Sequence, residues 1–201
     1  MSHQRILGAQ APAGVRLRRA TAADLPRILE LEEQIFGEEA WPQDLVAFEL
    51  AAPNRLYLAA ERPAPDPRDR GRGDGSPARP AEGNRMVGYG GIFLGGRDAE
   101  VMNLAVDPAS RGHGVGRALM EALIRAAQAK GATRIDLTCA DGAEPAAALY
   151  RSLGFKTTGR IPGYYQPSGR DGILMGRELR EGGDGIGQRN GGKPARGGQG
   201  S

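Results

Sequence analysis

Residues 111–117, "RGHGVGR", place three glycines at alternate positions between two arginines. Close-set glycines either turn the chain sharply or let a backbone approach a ligand. An apolar run ends at Val106 just before them, and an amphipathic stretch begins near Arg117 just after. A strand would therefore feed a tight turn that opens a helix. In that arrangement several backbone N–H groups point at one spot, and the helix end adds about half a positive charge. A diphosphate is the ligand such a loop would take, with Arg111 and Arg117 beside it. Two nucleotide loops are excluded. A Walker loop needs Lys then Ser or Thr after its last glycine, and Gly116 is followed by Arg117-Ala118. The dinucleotide fingerprint G-x-G-x-x-G does not match glycines at 112, 114 and 116. On its own, the cluster fits a plain glycine turn as well as a ligand loop.

Other reactive residue types are scarce. The only histidines are His3 and His113, so no histidine cluster exists for a metal, and His113 inside the loop is read as lending its backbone N–H. The single cysteine, Cys139, rules out an internal disulfide and reads as a small buried hydrophobe. One lone thiol suits a reducing cytoplasm. A net charge of +3 is too small to argue for direct nucleic-acid binding. No stretch approaches the length of a membrane span.

The elements that must position the loop follow from periodicity. "GVRLRRAT" alternates Val15 and Leu17 against arginines as a half-buried strand does. Thr21 and Asp24 form a capping box ahead of a helix carrying Leu25, Ile28, Leu29, Leu31 and Ile35, which ends at Phe36-Gly37. A second helix starts after Trp41-Pro42 and stops at Pro53. Strands are expected at 55–61, 86–95 and 99–106, and a helix from Val115 to the Gly131 stop, with 115, 118, 119, 122, 123 and 126 on one face. A strand at "TRIDLTC", a short helix at "PAAALYRSLG" and a strand from Phe155 complete an α/β (α+β mixed) sheet. The 32 glycines and 14 prolines concentrate outside these elements. Residues 1–13 read as a flexible leader, 62–85 as a disordered insertion in a strand-joining loop, and 181–201 as a disordered Gly-rich tail, leaving one domain over 14–180.

"LAVDPASRGHGVGRALMEAL" resembles the R/Q-x-x-G-x-G/A motif of the GNAT N-acetyltransferases, and "AAALYRSLGFKTTGR" resembles that family's A-x-x-L-Y-x-x-x-G-F motif. The two occur in order, a helix and a strand apart. Within the family, Trp41-Pro42 near the start and Tyr164-Tyr165 near the end resemble the RimI type, ribosomal-protein alanine N-terminal acetyltransferases. The resemblance implies the GNAT acyl-CoA N-acyltransferase fold, acetyl-CoA as co-substrate with no metal, and direct attack of an amine on the thioester. It places Leu104, Ala105 and Val106 along the pantetheine, and Arg111, Gly112, His113, Gly114, Val115, Gly116 and Arg117 at the phosphates. It makes Tyr150 the general acid for the departing thiolate, and Trp41, Tyr164 and Tyr165 the acceptor side. The acceptor it implies is a protein N-terminus, a small-subunit ribosomal protein among them. A small-molecule amine and a non-catalytic acetyl-CoA-binding module are the alternatives.

One stretch departs from the RimI pattern. Those enzymes carry L-E-V-R-x-S-N where this chain has "LTCADGA" at 137–143, so Thr138 stands in place of the basic Glu, Ala140 of the Arg and Ala143 of the Asn. Glu100 and Glu144 are the replacement bases to consider. An α-amine, with a reference pKa near 7.7–8.0, is roughly one-third neutral near pH 7.4, against about one lysine in a thousand. The missing Glu therefore favours an α-amine, or another amine of low pKa, over an unactivated lysine.

Overall fold

A computed structural model describes residues 11–65 and 80–179. The first ten residues of the expected leader, 66–79 of the expected insertion, residue 180 of the expected domain and the expected tail at 181–201 lie outside the described residues. Seven strands form one sheet: β1 Arg16–Arg19, β2 Arg55–Pro65, β3 Pro80–Gly95, β4 Asp98–Val106, β5 Arg134–Ala140, β6 Lys156–Tyr165 and β7 Arg170–Glu178. Their spatial order is β1-β2-β3-β4-β5-β7-β6. Every neighbouring pair is antiparallel except β4 and β5. Four helices cover the sheet: α1 Leu25–Phe36, α2 Gln43–Ala51, α3 Val115–Ala129 and α4 Glu144–Ser152.

Alternation along the strands divides the core in two. Leu58 and Ala60 of β2 face one way and join Ile92, Val101, Ile135 and Leu137 beneath α3 and α4. Tyr57 and Ala59 face the other way, with Tyr89 and Ala105, beneath α1 and α2. Period-2 strands with both faces covered produce this pattern. α1 begins where Asp24 accepts hydrogen bonds from the Thr21 amide at 2.8 Å and its hydroxyl at 3.2 Å, and it ends at Gly37 with φ +56°. It buries Ile28 and Leu31 completely, each contributing about 1.5–3 kcal/mol of apolar burial. α3 buries nine of its fifteen residues and ends as expected before Gly131, at φ +86°.

The fold differs from the sequence expectations in three places. Ala11 and Pro12 are half-buried, Ala11 against the α3 core, and the Pro12 carbonyl accepts from the Val15 amide at 2.9 Å. Both flanks of the 62–85 insertion are strand, pairing Arg62 with Arg85, Pro63 with Asn84 and Pro65 with Pro80. β1 accompanies β2 only as far as Glu61, so these prolines sit on an edge where no amide proton is required. The segment from Phe155 is two strands, since Pro167, Ser168 and Gly169 turn β6 back into β7 and β7 inserts between β5 and β6.

The parallel pairing of β4 with β5 runs only from Asp98↔Arg134 to Val101↔Leu137. At that point the β3–β4 register steps from Ile92↔Val101 to Gly91↔Asn103, leaving Met102 as an extra residue in β4. Such a bulge bends its strand. Beyond it β4 stays with β3 as far as Gly88↔Val106, and β5 stays with β7 as far as Ala140↔Gly172. The two strands part, and the sheet opens.

Candidate active site

A cavity of about 670 Å³ fills that opening. Its far end is the glycine loop. Asp107 fixes the exit from β4, accepting from the Ala109 amide at 3.1 Å and from Arg27 at 3.0 Å. The Arg111 guanidinium donates back to the Val106 carbonyl at 3.1 Å. Gly112 and Gly114 then take φ +75° and +77°, the left-handed region that glycine enters without penalty. Gly114 caps α3, and among the described residues no side chain bonds the first amides of the helix. Those amides therefore keep their donors for a ligand at the cavity end. Arg111, Gly112, Gly114, Val115, Gly116 and Arg117 all border it. His113 does not: its exposed ring turns back, with Nδ1 2.7 Å from the Arg111 carbonyl oxygen, which makes Nδ1 the protonated nitrogen. Gly116 has a second duty, because a Cβ there would meet Leu149 of α4 at 3.3 Å.

Along the middle, the Leu104 and Val106 side chains border the cavity, while Ala105 is buried in the opposite core, as strand alternation requires. Across the opening, α4 carries Tyr150 on its buried face, edge-on to Phe155 with ring centroids 6.1 Å apart. Burial pushes the Tyr150 phenol well above its ordinary value, and the neighbouring Cys139 and Tyr165 add to the shift. Cys139 shares this wall, its thiol also pushed up by burial.

The near end lies between the α1–α2 turn and the β6–β7 turn. Trp41 and Tyr165 border it, whereas Tyr164 is about half exposed and meets Tyr165 edge-on at 5.0 Å. The Tyr165 hydroxyl donates to the Thr138 carbonyl at 3.2 Å, and burial pushes that phenol up to about 12. Glu39 of the first turn pairs with Arg170 of the second and accepts from Ser168, so the two turns are tied across the cavity mouth. The Arg170 bond holds the Glu39 carboxyl below its ordinary value.

Sequence reasoning missed Glu32. This α1 carboxylate is 1% exposed and lies in the cavity wall. It accepts from Asn103 Nδ2 at 2.7 Å, from the Trp41 amide at 2.7 Å and from the Tyr89 hydroxyl. Burial raises its pKa to about 7, against the pull of the Trp41 and Asn103 hydrogen bonds. A signal was present: Glu32 falls four residues after Ile28 and three before Ile35, on the apolar stripe. Neither Glu100 nor Glu144 borders the cavity, and Glu144 pairs outside it with Arg151 at 2.6 Å.

The acetyltransferase (GNAT) family profile matches residues 27–155. N-alpha-acetyltransferase RimI of Mycobacterium tuberculosis is 34% identical over 169 residues, covering 82% of this chain and 92% of the relative. The putative [ribosomal protein bS18]-alanine N-acetyltransferase of Bacillus subtilis is 26% identical, covering 82% and 96%. An uncharacterized Mycobacterium leprae protein is 37% identical over 80% of this chain, which spans 40% of that protein's length. Among solved structures, Arabidopsis thaliana NAA60 in complex with acetyl-CoA shares the fold at TM-score 0.66 and 18% identity, covering 82% of this chain and 98% of that one. The ribosomal-protein-alanine N-acetyltransferase from Brucella melitensis does so at TM-score 0.62 and 24% identity, covering 81% and 99%. A profile match over most of the described domain, joined to a relative above 30% identity that is spanned nearly end to end, makes the chain a member of the GNAT family of N-acetyltransferases.

Proposed function

We propose that the protein transfers the acetyl group of acetyl-CoA to the α-amine of a protein N-terminus, with an N-terminal alanine of a ribosomal protein as the leading acceptor. One observation carries this reading: a single cavity joins a glycine cradle of free helix amides to a buried phenol and then to an aromatic-walled mouth. The cradle residues Arg111 to Arg117 fit a diphosphate, and the parted edge of β4 along Leu104 to Val106 fits the amide-bearing arm of the same molecule. Acetyl-CoA, when bound, supplies an activated thioester. Tyr150, a neutral phenol on the cavity wall, donates its hydroxyl proton to the departing sulfur. Trp41 and Tyr165 border the entrance through which an extended N-terminus reaches the thioester. Thr138, in place of a carboxylate, favours an acceptor that loses its proton near neutrality, as an α-amine does. The names of the M. tuberculosis and B. subtilis relatives support the same acceptor class.

The experiment is a panel of acceptors offered with acetyl-CoA: peptides beginning with alanine, the same peptides with blocked N-termini and an internal lysine, and polyamines. Turnover on the free alanine peptides alone is expected. Inert peptides with acetylated polyamines would overturn the α-amine reading, and acetyl-CoA binding with no turnover on any amine would overturn catalysis.

A further inference from the structure

The acceptor's nitrogen must shed a proton before it can attack, and no carboxylate stands at the usual place on β5. Among the described residues two carboxylates border the cavity, Glu32 and Glu39. Glu39 is matched by Arg170 and Ser168, and a carboxylate held in an ion pair resists taking a proton. Glu32 is different in kind. Its three partners, the Tyr89 hydroxyl, the Asn103 amide and the Trp41 backbone N–H, are all neutral donors. Two of them occupy Oε1 and one occupies Oε2. An ionised carboxylate offers about four lone-pair sites, so one site on Oε2 remains for a proton.

We infer that Glu32 is the proton sink of the reaction, taking the acceptor ammonium's first proton through one water at the cavity wall. This rests on the amine-acetylating reading above. The ammonium loses one proton to Glu32 Oε2, and the freed lone pair forms the new C–N bond as the C–S bond breaks. Tyr150 gives its proton to the departing sulfur and is reprotonated by the second proton leaving nitrogen. Glu32 returns its proton to solvent when product leaves, so the net change is one acetyl group moved and one proton released.

The neighbouring groups permit this role. β3 supplies Tyr89 and β4 supplies Asn103, and β2 supplies Tyr57, whose hydroxyl donates to Glu49 at 3.0 Å. Glu49 of α2 is paired with Arg55 at 2.6 Å. Tyr150, Tyr165 and Cys139 also border the cavity, the Glu39–Arg170 pair lies at its mouth, and its other two cations among the described residues are at the glycine loop, where Arg111 donates to the Val106 carbonyl and Arg117 pairs with Glu121. None of these puts an unpaired cation beside Glu32 to hold it ionised at low pH. The carboxylate therefore titrates near pH 7 and takes up a proton within the working range.

The test compares the wild type with E32Q and Y89F, using an alanine-initiated peptide and saturating acetyl-CoA. Wild-type kcat should fall about tenfold per pH unit below about pH 7. In E32Q kcat should drop by roughly 10²-fold or more and lose that limb, with acetyl-CoA affinity retained and a melting temperature no lower than the wild type's. Y89F removes a donor to the carboxylate, so the limb should move to higher pH. Carbon-13 NMR of the free protein should show a carboxyl titrating near pH 7 that is missing from E32Q. A wild-type limb in E32Q with kcat within about threefold, or an unmoved limb in Y89F, overturns the inference and leaves the acetyltransferase reading standing. A wild type that acetylates no amine overturns both, yet the NMR titration still reports whether Glu32 has the stated protonation behaviour.

Discussion

Two buried ionisable side chains, Tyr150 and Glu32, border the cavity, and burial favours the neutral form of both. Burial pushes the Tyr150 phenol well above its ordinary value, and the proposed function asks it to give its proton to the departing sulfur. Y150F should lower kcat by about 10²-fold while leaving acetyl-CoA affinity within about twofold, as stopped-time product assays and calorimetry would report. Glu32 makes the reverse demand. Its folded pKa of about 7 lies above the ordinary carboxyl value, so the folded state holds more protons than the unfolded state between about pH 4.5 and 7. Stability from this group is thus complete below that window and lost as pH rises through it, by about 3 kcal/mol in total. Thermal melts of the wild type from pH 4.5 to 8 should lose this increment, and E32Q should not. Tyr150 was legible because it sits in a short local motif. Glu32 was not, because "LELEEQ" shows which face of a helix a carboxylate occupies but not that β3 and β4 will lie over it.

At the scale of elements, the site is made by turns with enforced conformations. Gly114 holds α3's first turn at φ +77°, with Pro12 already 3.1 Å from where a Cβ would sit. Gly114→Ala should weaken acetyl-CoA binding about tenfold or more by calorimetry, since a left-handed alanine costs about 1 kcal/mol or more and tilts the donor amides. Gly91→Ala provides the contrast. Its Cβ would lie 2.2 Å from the Tyr57 ring, inside the α1–α2 core and away from the loop. That variant should melt several degrees lower and bind acetyl-CoA normally once folded. The α3 loop and its helix were readable from glycine spacing and a 3.6-residue period. The β6–β7 hairpin was less so, although the turn residues Pro167, Ser168 and Gly169 lie between "GYY" and "ILM". The Glu39–Arg170 tie depends on that hairpin folding over the α1–α2 turn, which spacing along the chain does not encode.

Across the whole molecule, strands β1–β4 and strands β5–β7 are two antiparallel blocks whose direct ladder is four residue pairs long. Periodicity revealed most of the strands, but the parting of β4 from β5 arises from one extra residue, Met102, set against β3. That narrow seam has a consequence for how the protein is assembled and held. The second block follows α3 in the chain and joins the first through only four ladder pairs. It should behave as a separate cooperative unit that opens below the global unfolding energy. A ligand lying in the seam touches both blocks and acts as a staple. At a hundredfold excess over its dissociation constant it would add about 2.7 kcal/mol to any opening that separates them. Hydrogen–deuterium exchange should therefore show acetyl-CoA slowing amides in β5 and β7, including those remote from the cavity, more than amides in β2. Uniform protection across both blocks would show that the seam does not open as a unit. Where the sheet parts, a co-substrate bound in the gap would become part of what keeps the two blocks together.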